Sequence, residues 1–233
     1  MAKVGIVFIS GAGLGSWIWK EVQSELELPS IVIEYPSRLS NGRTREQFYL
    51  QDYRDEVLRQ IEVAGFENII LVSHSIGGVV GLQVAAVLKR KLVKMAAVSA
   101  AIPEKGKNAL STSPFLVRIL GSILIRLFGT TPPKAAIQAS LCNDLPPELA
   151  QKVADTYAPE STHLYFDANE VDPPACPKLY IQLTKDHSLT LSTQKKMTKN
   201  LGNPQLAQLE TGHLPMLADP IGLAKLLKQF MDF

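Results

Sequence analysis

From Asn68 to Val80 the chain reads NIILVSHSIGGVV, two apolar runs joined by Ser73-His74-Ser75-Ile76-Gly77-Gly78 with no polar spacer. A buried strand must therefore turn directly into a buried helix. The turn this demands forces Ser75 into a strained backbone conformation, and Gly77 and Gly78 leave out side chains where helix and strand nearly touch. A serine held on such a turn has the setting of a nucleophile elbow.

The runs on either side extend the pattern. Val4–Ile9 is short, continuous and rich in β-branched residues, as expected of a strand covered on both faces. A glycine-rich turn, Ser10 to Ser16, leads into a helix beginning at Trp17-Ile18-Trp19, and a second strand follows at Ile31–Glu34. Thr44 and Gln47 form a capping box that predicts a long helix from Thr44 to Ala64, ended by Gly65. The elbow helix is expected over Gly77–Lys91 and a further strand over Lys94–Ala100. Alternation stops between Pro103 and Pro177, then resumes with strand Lys178–Leu183, helix Ser192–Asn200, strand Gln205–Leu209 and a last helix from Asp219 to Met231. Strands alternating with helices predict an α/β fold: a mostly parallel twisted sheet with helices on both faces and chemistry at the strands' C-terminal edge. The predicted division is a core of residues 1–102 and 177–233 and a helical cap of residues 103–176.

Composition narrows the function classes. The 233 residues are 46% hydrophobic and 20% charged, which suits one globular domain with a cap. A net charge of +2 and no basic block give no nucleic-acid surface. Cys142 and Cys176 lack metal spacing and are expected to be plain thiols, so no metal and no cofactor is expected. The first apolar run ends in glycines after Ile9, too short for a secretory leader, and a cytoplasmic location is expected. Pro114–Gly129 is apolar but carries Arg118 and Arg126 and is shorter than the roughly 20 residues a spanning helix needs. It is expected to pack as a lid helix, with adsorption to lipid as the alternative. A homodimer is compatible with this composition.

Three loops after strands hold the reactive residue types. Ser75 follows the third strand, Asp186 lies in Thr184-Lys185-Asp186-His187-Ser188, and His213 lies in Thr211-Gly212-His213-Leu214. A serine hydroxyl is a weak nucleophile, so His213 is assigned to take its proton and Asp186 to orient the imidazole. The backbone N–H groups of Ile76 and Ala12 are the expected oxyanion donors. His74 is expected to point away from the reactive side, His187 to neighbour the acid, and His163 to lie in the cap. Leu14, Trp17, Phe115, Ile119 and Leu214 are the expected pocket residues.

SHSIGG, FISGAGLGSWIW, TKDHSL and TGHLPMLADP together resemble the elbow, oxyanion loop, acid loop and histidine loop of the α/β-hydrolase superfamily. The nearest resemblance is to small carboxylesterases of the methylesterase and hydroxynitrile lyase group. It implies a serine hydrolase acting on a small-molecule carboxylic ester, lactone or thioester with a hydrophobic moiety. Ser10 and Ser73 depart from the family's usual histidine and glycine, and Leu214 stands where the lyases commonly have lysine, which favours ester hydrolysis over cyanohydrin cleavage. A lyase and a slow-turnover ligand receptor are the alternatives within the fold. Outside it, Gly11-Ala12-Gly13-Leu14-Gly15-Ser16 with Glu34 resembles a dinucleotide site of an oxidoreductase, though Ser16 replaces the last glycine.

Overall fold

A computed structural model describes residues 3–36 and 42–231; the chain ends assigned above to the core, residues 1–2 and 232–233, lie outside the described residues. Six strands pair in parallel to form the main sheet: β1 (Val4–Ile9), β2 (Ser30–Val32), β3 (Asn68–His74), β4 (Leu92–Val98), β7 (Lys178–Leu183) and β8 (Gln205–Leu209), in the order β2-β1-β3-β4-β7-β8. Successive side chains of a strand point to opposite faces, and the core divides accordingly. Val7, Ile9, Ile69, Leu71, Met95 and Ala97 pack on one side against α2 (Leu50–Ala64), α3 (Gly77–Leu88) and α8 (Leu191–Asn200). Ile6, Phe8, Ile70, Val72, Ala96 and Val98 pack on the other, where α1 (Lys20–Ser24) and α10 (Pro220–Met231) lie.

β1 has β2 on one side and β3 on the other, so the connections leaving β1 and β3 diverge. The crevice between their C-terminal ends is where such sheets bind ligands. Between β4 and β7 the chain forms α4 (Phe115–Phe128), α5 (Lys134–Leu141), α6 (Pro147–Thr156) and α7 (His163–Phe166). A minor antiparallel pair, β5 (Lys107–Asn108) and β6 (Ala168–Asn169), joins the two ends of that segment. The remaining helix, α9 (Pro215–Ala218), follows β8.

Several local expectations need correction. The Thr44 N–H does bond Gln47 Oε1, at 2.7 Å, but this box opens only a 3-10 turn, Arg45–Gln47. Phe48 then goes extended to bury its ring, and α2 starts afresh at Leu50. Trp17 and Trp19 likewise sit in a 3-10 turn, Ser16–Trp19, ahead of α1. The elbow helix stops at Leu88, because Lys89 has φ 48° and starts a 3-10 turn. β4 ends at Val98, since Ser99 turns with φ 36°. The largest departure is α4, which buries none of its residues, so its apolar stripe does not pack on the core.

Candidate active site

The turn after β3 is held from several directions. Ser75 has φ 54°, a left-handed conformation uncommon outside glycine. Its N–H donates to the Val98 carbonyl at 3.3 Å, and its carbonyl accepts from the N–H groups of Ala101 at 2.8 Å and Gly78 at 3.0 Å. α3 crosses so close to β1 that a Cβ at Gly77 would lie 2.5 Å from the Ser10 carbonyl oxygen and 2.7 Å from that of Ile9. Those oxygens belong to the backbone and cannot step aside. Ser73, the irregular residue of the motif, is accommodated by a third glycine one helical turn on, where a Cβ at Gly81 would lie 2.2 Å from Ser73 Oγ.

The loops after β7 and β8 bring two more groups to the same edge. His213 Nε2 lies 2.9 Å from Ser75 Oγ, and His213 Nδ1 lies 2.7 Å from Asp186 Oδ2. Asp186 and His213 are both buried. Asp186 Oδ1 accepts from the N–H groups of Ser188 at 2.7 Å and Leu189 at 2.9 Å, and Oδ2 also accepts from Ser99 Oγ at 2.7 Å. Burial works against the charge on Asp186, but the facing His213 and these donors outweigh it and hold the carboxyl below the ordinary carboxylate range.

Ser99 and the Asn143-Asp144 pair make contacts to the candidate site that sequence reading missed. Asn143 Nδ2 donates to the Lys185 carbonyl at 3.0 Å, and Asp144 Oδ2 accepts from the Gly212 N–H. Together they tie the acid loop to the histidine loop. Nothing local in the sequence marks these contacts.

His74 does not line the cavity at Ser75 and serves as a structural hydrogen-bonding residue, but one packed directly against His213. Its ring packs 4.7 Å from that of His213, and its Nε2 is 2.8 Å from the His213 carbonyl, to which it donates. Burial first, and then the charge of His213, lowers its pKa to about 3. It is therefore a neutral donor that positions the His213 backbone. His187 is exposed beside the acid, and His163 pairs with Asp167 at 2.8 Å and stacks on Tyr49, outside the cavity at Ser75.

That cavity has a volume of about 210 Å³ and is lined by Ala12, Leu14, Ser75, Ile76, His213 and residues of α5 and the segments around Tyr157 and Tyr165. Ala12 and Ile76 thus share the cavity with Ser75, Ile76 at the N-terminus of α3 where helix N–H groups lack helical partners. Of the five expected pocket residues only Leu14 lines it. Trp17 is half-buried against the core beneath Lys152, whose Nζ lies 4.1 Å from the ring centroid, while Trp19 is fully buried and donates to Ser10 Oγ at 3.0 Å. Leu214 is in the core behind His213, and Phe115 and Ile119 are exposed on α4. Pro132, Ile137, Leu141, Tyr157 and Tyr165 supply the walls instead.

The glycine loop has little room for a pyrophosphate. A Cβ at Gly13 would meet the Tyr157 ring at 2.2 Å, and the Gly11 Cβ position faces Ser75 and His74. Glu34 Oε1 accepts the Ser16 N–H at 3.2 Å. Among the described residues no group of three or more His, Cys, Asp or Glu could hold a metal ion.

Against known proteins, the profile of the alpha/beta hydrolase family matches residues 6–226. A carbendazim-hydrolysing esterase of Nocardioides sp. (strain SG-4G) is 27% identical over 112 residues, which is 46% of this chain and 46% of that esterase. An extracellular alpha/beta-hydrolase from a Paenibacillus species, described as sharing homology with tobacco salicylic acid binding protein 2, superposes with a TM-score of 0.87 at 20% identity, covering 98% of this chain and 100% of that one. A methylesterase from Arabidopsis superposes with a TM-score of 0.78 at 19% identity, covering 97% and 98% of the two chains. These two likenesses are of fold. The family profile spans nearly the whole chain, and Ser75, Asp186 and His213 stand on loops at the C-terminal ends of three of the six parallel strands: the chain belongs to the alpha/beta hydrolase family.

Proposed function

We propose that the protein is a serine hydrolase that cleaves a carboxylic ester through an acyl-enzyme on Ser75. One observation carries the reading, the unbroken run of hydrogen bonds from Ser75 Oγ through His213 to Asp186, with Ser75 and His213 lining a cavity that mixes apolar residues with Ser140, Ser188 and two tyrosines. As Oγ attacks the carbonyl carbon, His213 Nε2 accepts its proton. Asp186, ionised at neutral pH, fixes the tautomer that leaves Nε2 free and balances the imidazolium. Charge on the carbonyl oxygen is received by the N–H groups of Ile76 and Ala12, each worth about 3 kcal/mol in the barrier. The alcohol departs with the proton from His213, and water repeats the sequence to release the acid. Ester, lactone and thioester carbonyls all suit this route. The walls made by Leu14, Ile137 and Leu141 favour an apolar acyl or alcohol group, and residues 103–176 act as the cap that shapes this choice. The esterase relative is in keeping with the same chemistry.

A fluorophosphonate probe should label wild-type protein on Ser75, and Ser75→Ala should lose both labelling and hydrolysis of p-nitrophenyl esters while keeping its circular dichroism. Unchanged ester hydrolysis by Ser75→Ala would refute the mechanism. Labelling without turnover of any ester or lactone in a chain-length series would instead point to a ligand receptor.

A further inference from the structure

Helix α4 exposes Leu116 at 77%, Leu120 at 59%, Leu127 at 69% and Phe128 at 75% of their surfaces, while Arg118, Gly121, Ser122 and Ile125 turn inward. At 100° per residue the exposed group forms one continuous apolar face. A contiguous patch of this kind marks a surface that is covered in use. Among the described residues no helix is long and apolar enough to cross a membrane.

Charge selects what covers it. Residues 105–143 hold Lys105, Lys107, Arg118, Arg126 and Lys134 and no acid, +5, which leaves −3 for the rest of a chain of net +2. Lys105 and Lys134 pair with Asp172 and Asp155. Among the described residues no carboxylate lies within ion-pair reach of Lys107, Arg118 or Arg126; Arg126 instead stacks on Phe166, 4.7 Å from its centroid. A second copy would bring the same cations against themselves. An anionic lipid surface offers both the apolar layer and the countercharge.

One edge of that face supports this choice. Leu124, Ile125 and Phe128 wall an apolar groove of about 760 Å³, which shares Pro132, Tyr157 and Tyr165 with the cavity at Ser75. The edge of the helix is thus also the edge of an apolar path toward the serine.

We propose that α4 lies flat on a lipid surface bearing anionic headgroups, with Leu116, Leu120, Leu124 and Leu127 among the acyl chains and Lys107 and Arg126 at the headgroups. The docking stands independently of the ester-hydrolase reading; only the use of the groove as the substrate's path rests on it. Co-sedimentation of the full chain with phosphatidylcholine vesicles, with and without phosphatidylglycerol, tests the docking. Wild-type protein should bind the anionic vesicles at least roughly tenfold more tightly, and lose that advantage at high salt. Leu116→Asp/Leu127→Asp, folded by circular dichroism, should lose binding, and Lys107→Ala/Arg126→Ala should weaken it and reduce its salt dependence. Ser75→Ala should bind as wild type, which separates a failure of docking from a failure of catalysis. Binding to neither vesicle, equal binding by the Leu variant, or a wild-type dimer in sedimentation velocity that the Leu variant splits would overturn the proposal.

Discussion

Ser99 stands at the end of β4 with φ 36°, and its hydroxyl donates to Asp186 Oδ2 at 2.7 Å in a buried setting. Removing a donor from an ionised carboxylate raises its pKa and costs about 1.5–3 kcal/mol. Ser99→Ala should therefore lower thermal stability, reduce ester turnover by roughly tenfold with little change in KM, and shift the acid limb of the rate profile upward; a stability loss with an unmoved pH profile would confine Ser99 to a structural role. His74 gives a second pH effect. The unfolded chain protonates this imidazole near 6.5, whereas the fold refuses the proton down to about 3. Over that window the unfolded state binds more protons, so stability falls as pH falls, by up to about 1.4 kcal/mol per pH unit. His74→Gln keeps a donor for the His213 carbonyl and cannot titrate, so urea midpoints at pH 7 and pH 5 should differ less in the variant. An equal drop in both proteins would assign the acid sensitivity elsewhere. The approach of Ser75, Asp186 and His213 was legible at this scale because each follows a stretch that sequence can read as a strand. Ser99, Asp144 and His74 were not, since their partners lie 87, 68 and 139 residues away.

Among the elements, the strands β1, β7 and β8 have the bounds expected of them, whereas the departures lie at the ends of β2, β4, α2 and the elbow helix. The box at Thr44 is a true local preference, but burying Phe48 outweighs the continuation of the helix. A similar balance shapes the elbow. Ser73 in place of glycine puts a hydroxyl into the β3–α3 contact, and Gly81 makes the space for it. Alanine in mid-helix ordinarily stabilises by up to about 1 kcal/mol over glycine. Here Gly81→Ala should instead destabilise by about 1–3 kcal/mol through overpacking, and Ser73→Gly/Gly81→Ala should recover most of the loss. Additive effects in that cycle would show that the two positions do not share one space. α4 was misjudged for a different reason: apolar periodicity reports that a face avoids water, not which partner takes it.

For the whole molecule, one buried side chain fastens both ends of the segment between β4 and β7 to α3. Asn169 Nδ2 donates to the carbonyls of Pro103 at 3.0 Å and Val171 at 2.9 Å, and its Oδ1 accepts from Gln83 Nε2 on α3 at 2.9 Å. It closes the base of the segment and fastens that base to the elbow helix. Asn169→Ala would leave the buried Gln83 amide and Pro103 carbonyl, and the half-buried Val171 carbonyl, without this partner and should cost about 1–3 kcal/mol, with limited proteolysis appearing first within residues 103–176. Cleavage elsewhere, or none at equal destabilisation, would argue against a clasp. The place where strand–helix alternation paused was visible in the sequence, because it rests on local periodicity; the clasp was not, because it is a contact among three distant stretches.

The segment and the sheet also meet at Gly13. That residue has φ 77°, its carbonyl accepts the Ala158 N–H at 3.0 Å, and the Tyr157 ring occupies the space a side chain would need. The loop that presents Ala12 is thus shaped partly by residues far along the chain. For anyone grafting a new segment between β4 and β7, this makes that segment a poor interchangeable part: on the proposed mechanism, a transplant that omits Tyr157 and Ala158 would alter the rate of every substrate together with the choice among them.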